Sequence, residues 1–292
     1  MSAPIPGHDG QPGQLRQPGQ PPPAQSQRGG LSTTSKVLLF VGIPVIVLIL
    51  LAGAATTLIF LLPGLGAAPV NETADGDGAA NILVDTNNAE LRFSASEDDQ
   101  VHAAMEGRYS GTKPAMRLES SGDATTLRGG CPEGWLIFSR CSVVITISVP
   151  AESNLTVTTT NGKITASALD GDLDFTTMNG AVDVESPTGQ VRLDTTNGAV
   201  RVSDAESSDV SAETTNGEIR LEFSEAPDTV TAKTTNGSVT VRVPDDGEDY
   251  FIEAQTTNGD IDTDGLVSDR RADRTITAET VNGGVTVDFN EG

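Results

Sequence analysis

Three aspartates in alternate positions, Asp260, Asp262 and Asp264, resemble the beginning of a calcium-binding loop. Gly265 follows them, and such a loop is completed by a glutamate at its twelfth position. The twelfth position here is Arg271, a cation that cannot bind a metal ion. We therefore favour an acidic, solvent-exposed strand face over a calcium site, and we expect neither a metal nor a cofactor.

Catalytic groups are scarce in the chain. His102 is the one histidine after the long apolar segment, and its neighbours in sequence do not form a serine-hydrolase pattern. No Gly-x-Ser-x-Gly motif is present. Asp183, Arg201 and Arg220 are the kinds of residue with which β-helix enzymes cleave polysaccharides, but they occupy ordinary outward positions of a repeat. We therefore expect no catalytic residue.

The two cysteines, Cys131 and Cys141, lie close together in the sequence and enclose the single tryptophan. If the segment is outside the cell, the oxidising environment favours a disulfide between them. Their loop then has two interpretations. It either fixes an excursion of the chain, or it displays Trp135 and Phe138 as an aromatic contact for a glycan or protein ligand.

A repeated motif must position these side chains. Thr-Thr-Asn-Gly, or a close variant, recurs at intervals of 18 to 24 residues, with apolar residues at alternate positions on both sides. The recurring asparagines are Asn161, Asn179, Asn197, Asn216, Asn236, Asn258 and Asn282. The threonines two positions before them are Thr159, Thr177, Thr195, Thr214, Thr234, Thr256 and Thr280. An eighth copy begins at Ile82 and has Ala89 instead of the glycine, which predicts a modified turn there.

Alternation on both sides of a turn predicts two short, half-buried strands in each repeat. An antiparallel β meander with Asn-Gly hairpins satisfies this pattern. A parallel β-solenoid satisfies it better, because like residues of successive coils then form inward-facing columns spaced by about 4.8 Å. Threonine hydroxyls and asparagine amides can hydrogen-bond along such columns. We predict an all-β fold, a single-stranded parallel β-helix over residues 80–292.

Residues 37–62 carry no charge and, as a helix, would reach about 39 Å, enough to cross about 30 Å of hydrocarbon. Basic residues precede this run and acidic residues follow it, which places the N-terminus in the cytoplasm and the C-terminal domain outside. We predict a disordered Pro/Gln/Gly-rich tail over 1–36, a transmembrane helix over 37–62 and a linker over 63–79. A signal peptide cleaved after Ala54 or Ala68 is the alternative.

The net charge of −23 is concentrated in the predicted outer domain, since 40 of the 41 acidic residues follow residue 62. A domain this acidic repels phosphate groups, so nucleic acid is excluded as a partner. The charge also keeps a long repetitive β-structure soluble and opposes association of its edges.

The stretch 143–150 (VVITISVP), followed by Leu155-Thr156-Val157 and tandem Asn-Gly turns, resembles a bacterial envelope family of adhesin-like proteins with β-strand repeats. The resemblance covers roughly residues 80–290. It implies a right-handed, single-stranded β-helix attached to the cell envelope, and it supplies no catalytic residue.

These observations predict a membrane-anchored, non-catalytic binding or structural module that contacts cell-wall polymer or another envelope protein. One alternative is an envelope-stress sensor that signals through the tail 1–36. A second alternative is a polysaccharide-active β-helix enzyme.

Overall fold

The computed structural model describes residues 43–61, 67–132, 140–263 and 265–290. One helix, α1 (Ile43–Leu61), lies inside the apolar segment 37–62 and consists of uncharged residues. No helix in this described part of the chain is both long and apolar enough to span a bilayer. The predicted tail, 1–36, lies outside the described residues.

The rest of the described chain is built from strands. Their bounds are β1 Ala68–Gly76, β2 Asn81–Asn88, β3 Glu90–Ala95, β4 Val101–Ser110, β5 Ala115–Ser121, β6 Ala124–Gly130, β7 Arg140–Val149, β8 Asn154–Asn161, β9 Ile164–Ser167, β10 Leu173–Asn179, β11 Val182–Glu185, β12 Val191–Asn197, β13 Val200–Ala205, β14 Asp209–Asn216, β15 Ile219–Phe223, β16 Thr229–Asn236, β17 Val239–Val243, β18 Tyr250–Asn258, β19 Ile261–Asp262, β20 Arg274–Asn282 and β21 Val285–Phe289.

These strands form two sheets. Sheet A has the order β1-β4-β7-β3-β9-β11-β13-β15-β17-β21-β19, and sheet B has the order β18-β20-β16-β14-β12-β10-β8-β2-β6-β5. Each repeat gives one strand to sheet B and the next strand to sheet A, and we call such a pair a coil. Neighbouring coils pair in parallel with like positions opposite each other, as at Thr177↔Thr195 and Asn179↔Asn197. The predicted parallel stacking is confirmed, and the antiparallel meander is wrong for the repeats.

The core lies between the two sheets because each strand turns alternate apolar residues inward. In β10, Leu173, Phe175 and Thr177 are buried, whereas the residues between them are exposed. Leu155 and Val191 flank Leu173 in the adjacent coils, so each column continues from coil to coil. Each coil thus buries only a few side chains, and the core depends on stacking to exclude water.

The order of the coils departs from chain order at both ends of the stack. The last coil, β20/β21, lies between β16/β17 and β18/β19. At the other end, β2/β3 lies between β6/β7 and β8/β9. The connection between β19 and β20 thus returns the chain to a position inside β18/β19. Arg274 fixes this arrangement with ion pairs to Asp228 (2.6 Å) and Glu248 (3.2 Å), which precede β16 and β18.

Sheet A begins earlier than residue 80, where we placed its start. Strand β1 falls inside the predicted linker 63–79 and pairs antiparallel with β4, which in turn pairs antiparallel with β7. Val70 is buried in this strand although most of its other residues are small or polar. The segment lacks the repeat motif, and its strand conformation comes from pairing with the edge of the sheet.

Candidate functional site

The outer face of sheet B is a long polar surface that crosses successive coils. Two shallow depressions of about 380 and 280 Å³ lie on it. The outward side chains of the larger depression are Asp172, Asp174, Gln190, Arg192, Asp209, Ser211, Thr229 and Thr231. Those of the smaller depression are Leu83, Asp85, Thr126, Arg128, Thr156 and Thr158. Hydroxyl, amide, carboxylate and guanidinium groups therefore repeat along this face at the spacing of the coils, about 4.8 Å.

The outer face of sheet A is occupied by ion pairs between coils. Asp183 contacts Lys163 at 2.5 Å and Arg201 at 3.9 Å, and Arg201 also contacts Glu218 at 3.1 Å. Arg220 lies beside Arg201 in the next coil. Two of the three polysaccharide-cleaving candidates, Asp183 and Arg201, thus neutralise neighbouring charges, and neither of the two depressions contains any of the three.

The recurring asparagines form a hydrogen-bonded ladder at the corner between the sheets. The side-chain amide of Asn197 donates to Asn179 Oδ1 (2.9 Å), and that of Asn216 donates to Asn197 Oδ1 (2.9 Å). The same direction is kept from Asn258 through Asn282 and Asn236. All seven asparagines are exposed, so their predicted inward orientation is wrong. The chain turns the corner after the threonine, and this interrupts the alternation before the asparagine is reached.

The threonines do face inward, and most of their hydroxyls reach the backbone of the preceding coil. Thr195 donates to the Gly180 carbonyl oxygen at 3.1 Å, and Thr214 donates to that of Gly198 at 3.1 Å. Thr234, Thr256 and Thr280 make the same contact, while the hydroxyl of Thr159 lies 3.5 Å from the Asn87 carbonyl oxygen. Thr177 is buried without a hydrogen-bond partner among the described residues.

The glycine of the motif is required by close approach of two coils. A Cβ atom on Gly198 would lie 1.9 Å from the carbonyl oxygen of Gly180, and the other motif glycines meet the same obstacle. Ala89 occupies this position in β2/β3, and its Cβ lies 3.5 Å from the Cβ position of Gly130. A Cβ atom is therefore accommodated at the turn of this coil, in contrast to the turns that carry the motif glycines.

Cys131 and Cys141 are joined by a disulfide bond. Cys131 directly follows β6, and Cys141 lies in β7. The bond therefore links the two halves of the coil β6/β7, which is the outermost parallel coil at this end of the stack. The predicted aromatic contacts, Trp135 and Phe138, lie outside the described residues.

The acidic segment considered as a calcium loop lies at the opposite end of the stack. Asp262 belongs to β19, Asp260 directly precedes that strand, and both are exposed. Asp264 lies outside the described residues. Within the described ranges, no group of three or more histidine, cysteine or acidic side chains is arranged to hold a metal ion.

An ionic cluster that sequence reasoning missed surrounds His102. Its Nδ1 lies 2.8 Å from Asp75 Oδ1, and its Nε2 lies 3.0 Å from Asp98 Oδ1. Asp75 stands opposite His102 in the β1–β4 pair, so the cluster joins the two antiparallel strands at the edge of sheet A. Both ring nitrogens face carboxylates, so neither is positioned to activate a serine. Only the pairing of β1 with β4 brings these residues together.

The cluster predicts that stability depends on pH. Hydrogen bonds to Asp75 and then to Asp98 raise the pKa of His102 above its ordinary value of 6.5. A group with a raised pKa stabilises the folded chain in its protonated form, so its contribution is complete below the ordinary pKa. We expect that contribution to disappear as the pH rises through the raised pKa. Urea unfolding from about pH 6 to 9 should show this loss.

The matched control for this experiment is His102→Gln, which keeps a polar side chain but cannot titrate in that range. The difference in unfolding free energy between the natural chain and this variant should shrink as the pH rises. Parallel pH profiles of the two proteins would contradict a stabilising effect of His102 protonation.

The family model described as Toastrack DUF4097, a domain of unknown function, matches residues 152–291. This match confirms the resemblance to the envelope family with β-strand repeats. No match was found among curated proteins.

Several solved structures resemble the fold. A "putative adhesin" from Bacteroides fragilis is 13% identical, with a TM-score of 0.47 over 76% of this chain and 97% of its own. A "putative cell adhesion protein" from Clostridium sporogenes is 15% identical, with a TM-score of 0.36 over 76% of this chain and 100% of its own. A "putative lipid binding protein" from Parabacteroides distasonis is 10% identical, with a TM-score of 0.39 over 76% of this chain and 97% of its own.

Proposed function

We propose, from the premise that residues 152–291 match the Toastrack DUF4097 family model, that this chain is a non-catalytic, adhesin-like binding module of the cell envelope. The observation that carries the proposal is the outer face of sheet B, where polar groups repeat from coil to coil and the depressions are shallow. Enzymes usually enclose most of a small substrate in a deep cleft, whereas a repetitive open face suits an extended ligand.

The ligand class follows from the chemistry of this face. Asp172, Gln190 and Ser211 present hydrogen-bonding groups, and Arg192 is the one cation in the larger depression. The excess of acidic residues after residue 62 repels polyanions. We therefore assign the face to a hydroxyl- and amide-rich, uncharged glycan of the cell wall, which would lie across the strands and contact several coils.

Membrane attachment through residues 37–62 completes the proposal. The uncharged run, the basic residues before it and the acidic residues after it support an N-terminus in the cytoplasm and a β-domain outside. The disulfide between Cys131 and Cys141 agrees with an oxidising compartment. Protease added to intact cells should then digest the β-domain and leave the tail 1–36 protected. Protection of both parts would contradict this topology.

Co-sedimentation with isolated wall polymer tests the binding function. The chain should bind a neutral wall glycan saturably, and the double variant Gln190→Ala with Arg192→Ala should bind it about 3- to 10-fold more weakly, the loss expected for one or two exposed hydrogen bonds. The control is Thr165→Ala with Arg201→Ala, which removes a hydroxyl and a guanidinium group from the outer face of sheet A. It should bind like the natural chain.

Equal loss of binding in both double variants would show that sheet B is not the binding face. Absence of binding to any wall fraction would overturn the glycan assignment and would favour a sensor whose partner is another envelope protein.

A further inference from the structure

Seven Asn-Gly dipeptides lie along the exposed corner of the stack, and this dipeptide is a chemically labile one. The backbone nitrogen of the glycine can attack the side-chain carbonyl carbon of the asparagine, because glycine has no side chain to hinder the approach. The C–N bond to the side-chain amide then breaks, ammonia leaves with the proton of the backbone nitrogen, and a cyclic succinimide forms. Water opens the ring to aspartate or isoaspartate. The reaction consumes only water.

Six of the seven sites are held in an arrangement that opposes this attack. The glycine N–H donates to the backbone carbonyl oxygen of the asparagine in the neighbouring coil. Gly198 donates to Asn216 at 3.0 Å, and Gly217 donates to Asn236 at 3.0 Å. Four further glycines donate in the same way: Gly162 to Asn179, Gly180 to Asn197, Gly237 to Asn282 and Gly283 to Asn258. The amide of each of these asparagines is also held by ladder bonds on both sides. Attack requires both sets of hydrogen bonds to break.

The seventh site, Asn258-Gly259, lies in the terminal coil β18/β19. Its ladder is one-sided, since Asn258 donates to Asn282 Oδ1 at 2.9 Å and no described residue donates to Asn258 Oδ1. The Gly259 N–H likewise has no hydrogen-bond acceptor in the described part of the chain. Among the seven Asn-Gly pairs of the described chain, Gly259 is therefore the glycine whose attacking nitrogen is not held by a hydrogen bond.

The terminal coil is also the least enclosed of the repeats. Ile261 is 48% exposed, whereas Val285, its counterpart in the adjacent coil, is 1% exposed. Ala254 and Thr256 are half-buried, whereas Ala278 and Thr280 in the adjacent coil are buried. A coil with fewer buried contacts opens locally at a lower free energy, which gives the Asn258 side chain freedom to rotate toward the Gly259 nitrogen.

We infer that Asn258 is a built-in deamidation site, the position at which this chain first undergoes spontaneous chemical modification. The product has structural consequences. Aspartate has no N–H to donate to Asn282 Oδ1 and places a negative charge beside that oxygen. Isoaspartate lengthens the backbone at the residue whose carbonyl accepts the Gly283 N–H. Deamidation therefore loosens β18/β19 and leaves the coils beneath it intact.

Peptide mapping by mass spectrometry tests the inference on the full-length chain incubated in mildly alkaline buffer. Asn197, Asn216 and Asn236 are internal controls, because they share the Thr-Asn-Gly sequence with Asn258. We expect deamidation at Asn258 to be at least about tenfold faster than at these three, the factor that corresponds to one lost hydrogen bond. Similar native rates at all four sites would overturn the inference.

Two further measurements complete the test. In concentrated urea the four rates should become similar, and a persistent excess at Asn258 would show that local sequence rather than the open coil causes it. The variant Asn258→Asp should increase hydrogen exchange over residues 250–262 and leave 154–243 unchanged. Unchanged exchange at 250–262 would overturn the loosening of the terminal coil.

Discussion

Gly198→Ala is expected to lower the free energy of unfolding by at least about 3 kcal/mol or to prevent folding. The new methyl group would lie 1.9 Å from the Gly180 carbonyl oxygen and 2.5 Å from its carbonyl carbon. Both are backbone atoms within the parallel stack, so no side-chain rotation can relieve the overlap. The coils would have to separate, and the Thr195 hydroxyl would lose its bond to the same carbonyl. Urea unfolding followed by circular dichroism measures the effect.

The chain offers a matched control at the same position of a different coil. Ala89→Gly makes the reverse change where a Cβ atom is tolerated, and it should cost no more than about 1 kcal/mol through backbone entropy. If Gly198→Ala proved as mild as this control, the close approach of coils at the corner would not be the reason for the glycine.

Phe175→Ala should destabilise the fold by about 3–5 kcal/mol. Phe175 is fully buried, and its ring lies 6.0 Å from that of Phe93, which comes from the opposite sheet. Val157 and Leu193 flank it in the same column. Removal of the ring leaves a cavity that a rigid parallel stack cannot close, because each coil is hydrogen-bonded on both sides. The unfolding free energy in urea is again the measured quantity.

Met178→Ala provides the comparison on the same strand. Met178 is 54% exposed on the outer side of β10, so its truncation should change the unfolding free energy by less than about 0.5 kcal/mol. Equal effects of the two substitutions would contradict the assignment of Phe175 to a continuous core.

The structure of the repeats could be predicted because it depends on residues that are close together in the sequence. Alternation on both sides of Asn-Gly defines two strands and an inward threonine, and the observed register aligns Thr159, Thr177 and Thr195. The orientation of the asparagines was not predictable from alternation alone. Met178 has no partner in the register while Thr177 and Asn179 do, so the strand changes direction between the recurring threonine and the recurring asparagine of the motif.

Long-range features escaped the sequence for a different physical reason. Coils with the same pattern of buried residues can pair with one another in many orders. The local sequence therefore does not predict that β20/β21 lies inside β18/β19. The cluster at His102 depends on β1, which has no repeat motif, and on Asp98, which lies in a connection between strands. The repeat predicted outward-facing positions, but it did not identify the outer face of sheet B as a candidate site, because the residues at these positions differ from coil to coil.

The interchanged order of the last two coils has a consequence for synthesis of the chain. As residues emerge from the N-terminus onward, each coil from β10/β11 to β16/β17 can dock on the preceding coil as soon as it is complete. Strands β18 and β19 cannot, because within the described chain their ladder partners are β20 and β21, which are made later. Residues 250–262 must therefore wait, unpaired, until the chain has been extended to about residue 289. A chain terminated before residue 274 would lack β20 and β21 and would leave β18 and β19 without these partners, so it would lose two docked coils rather than one.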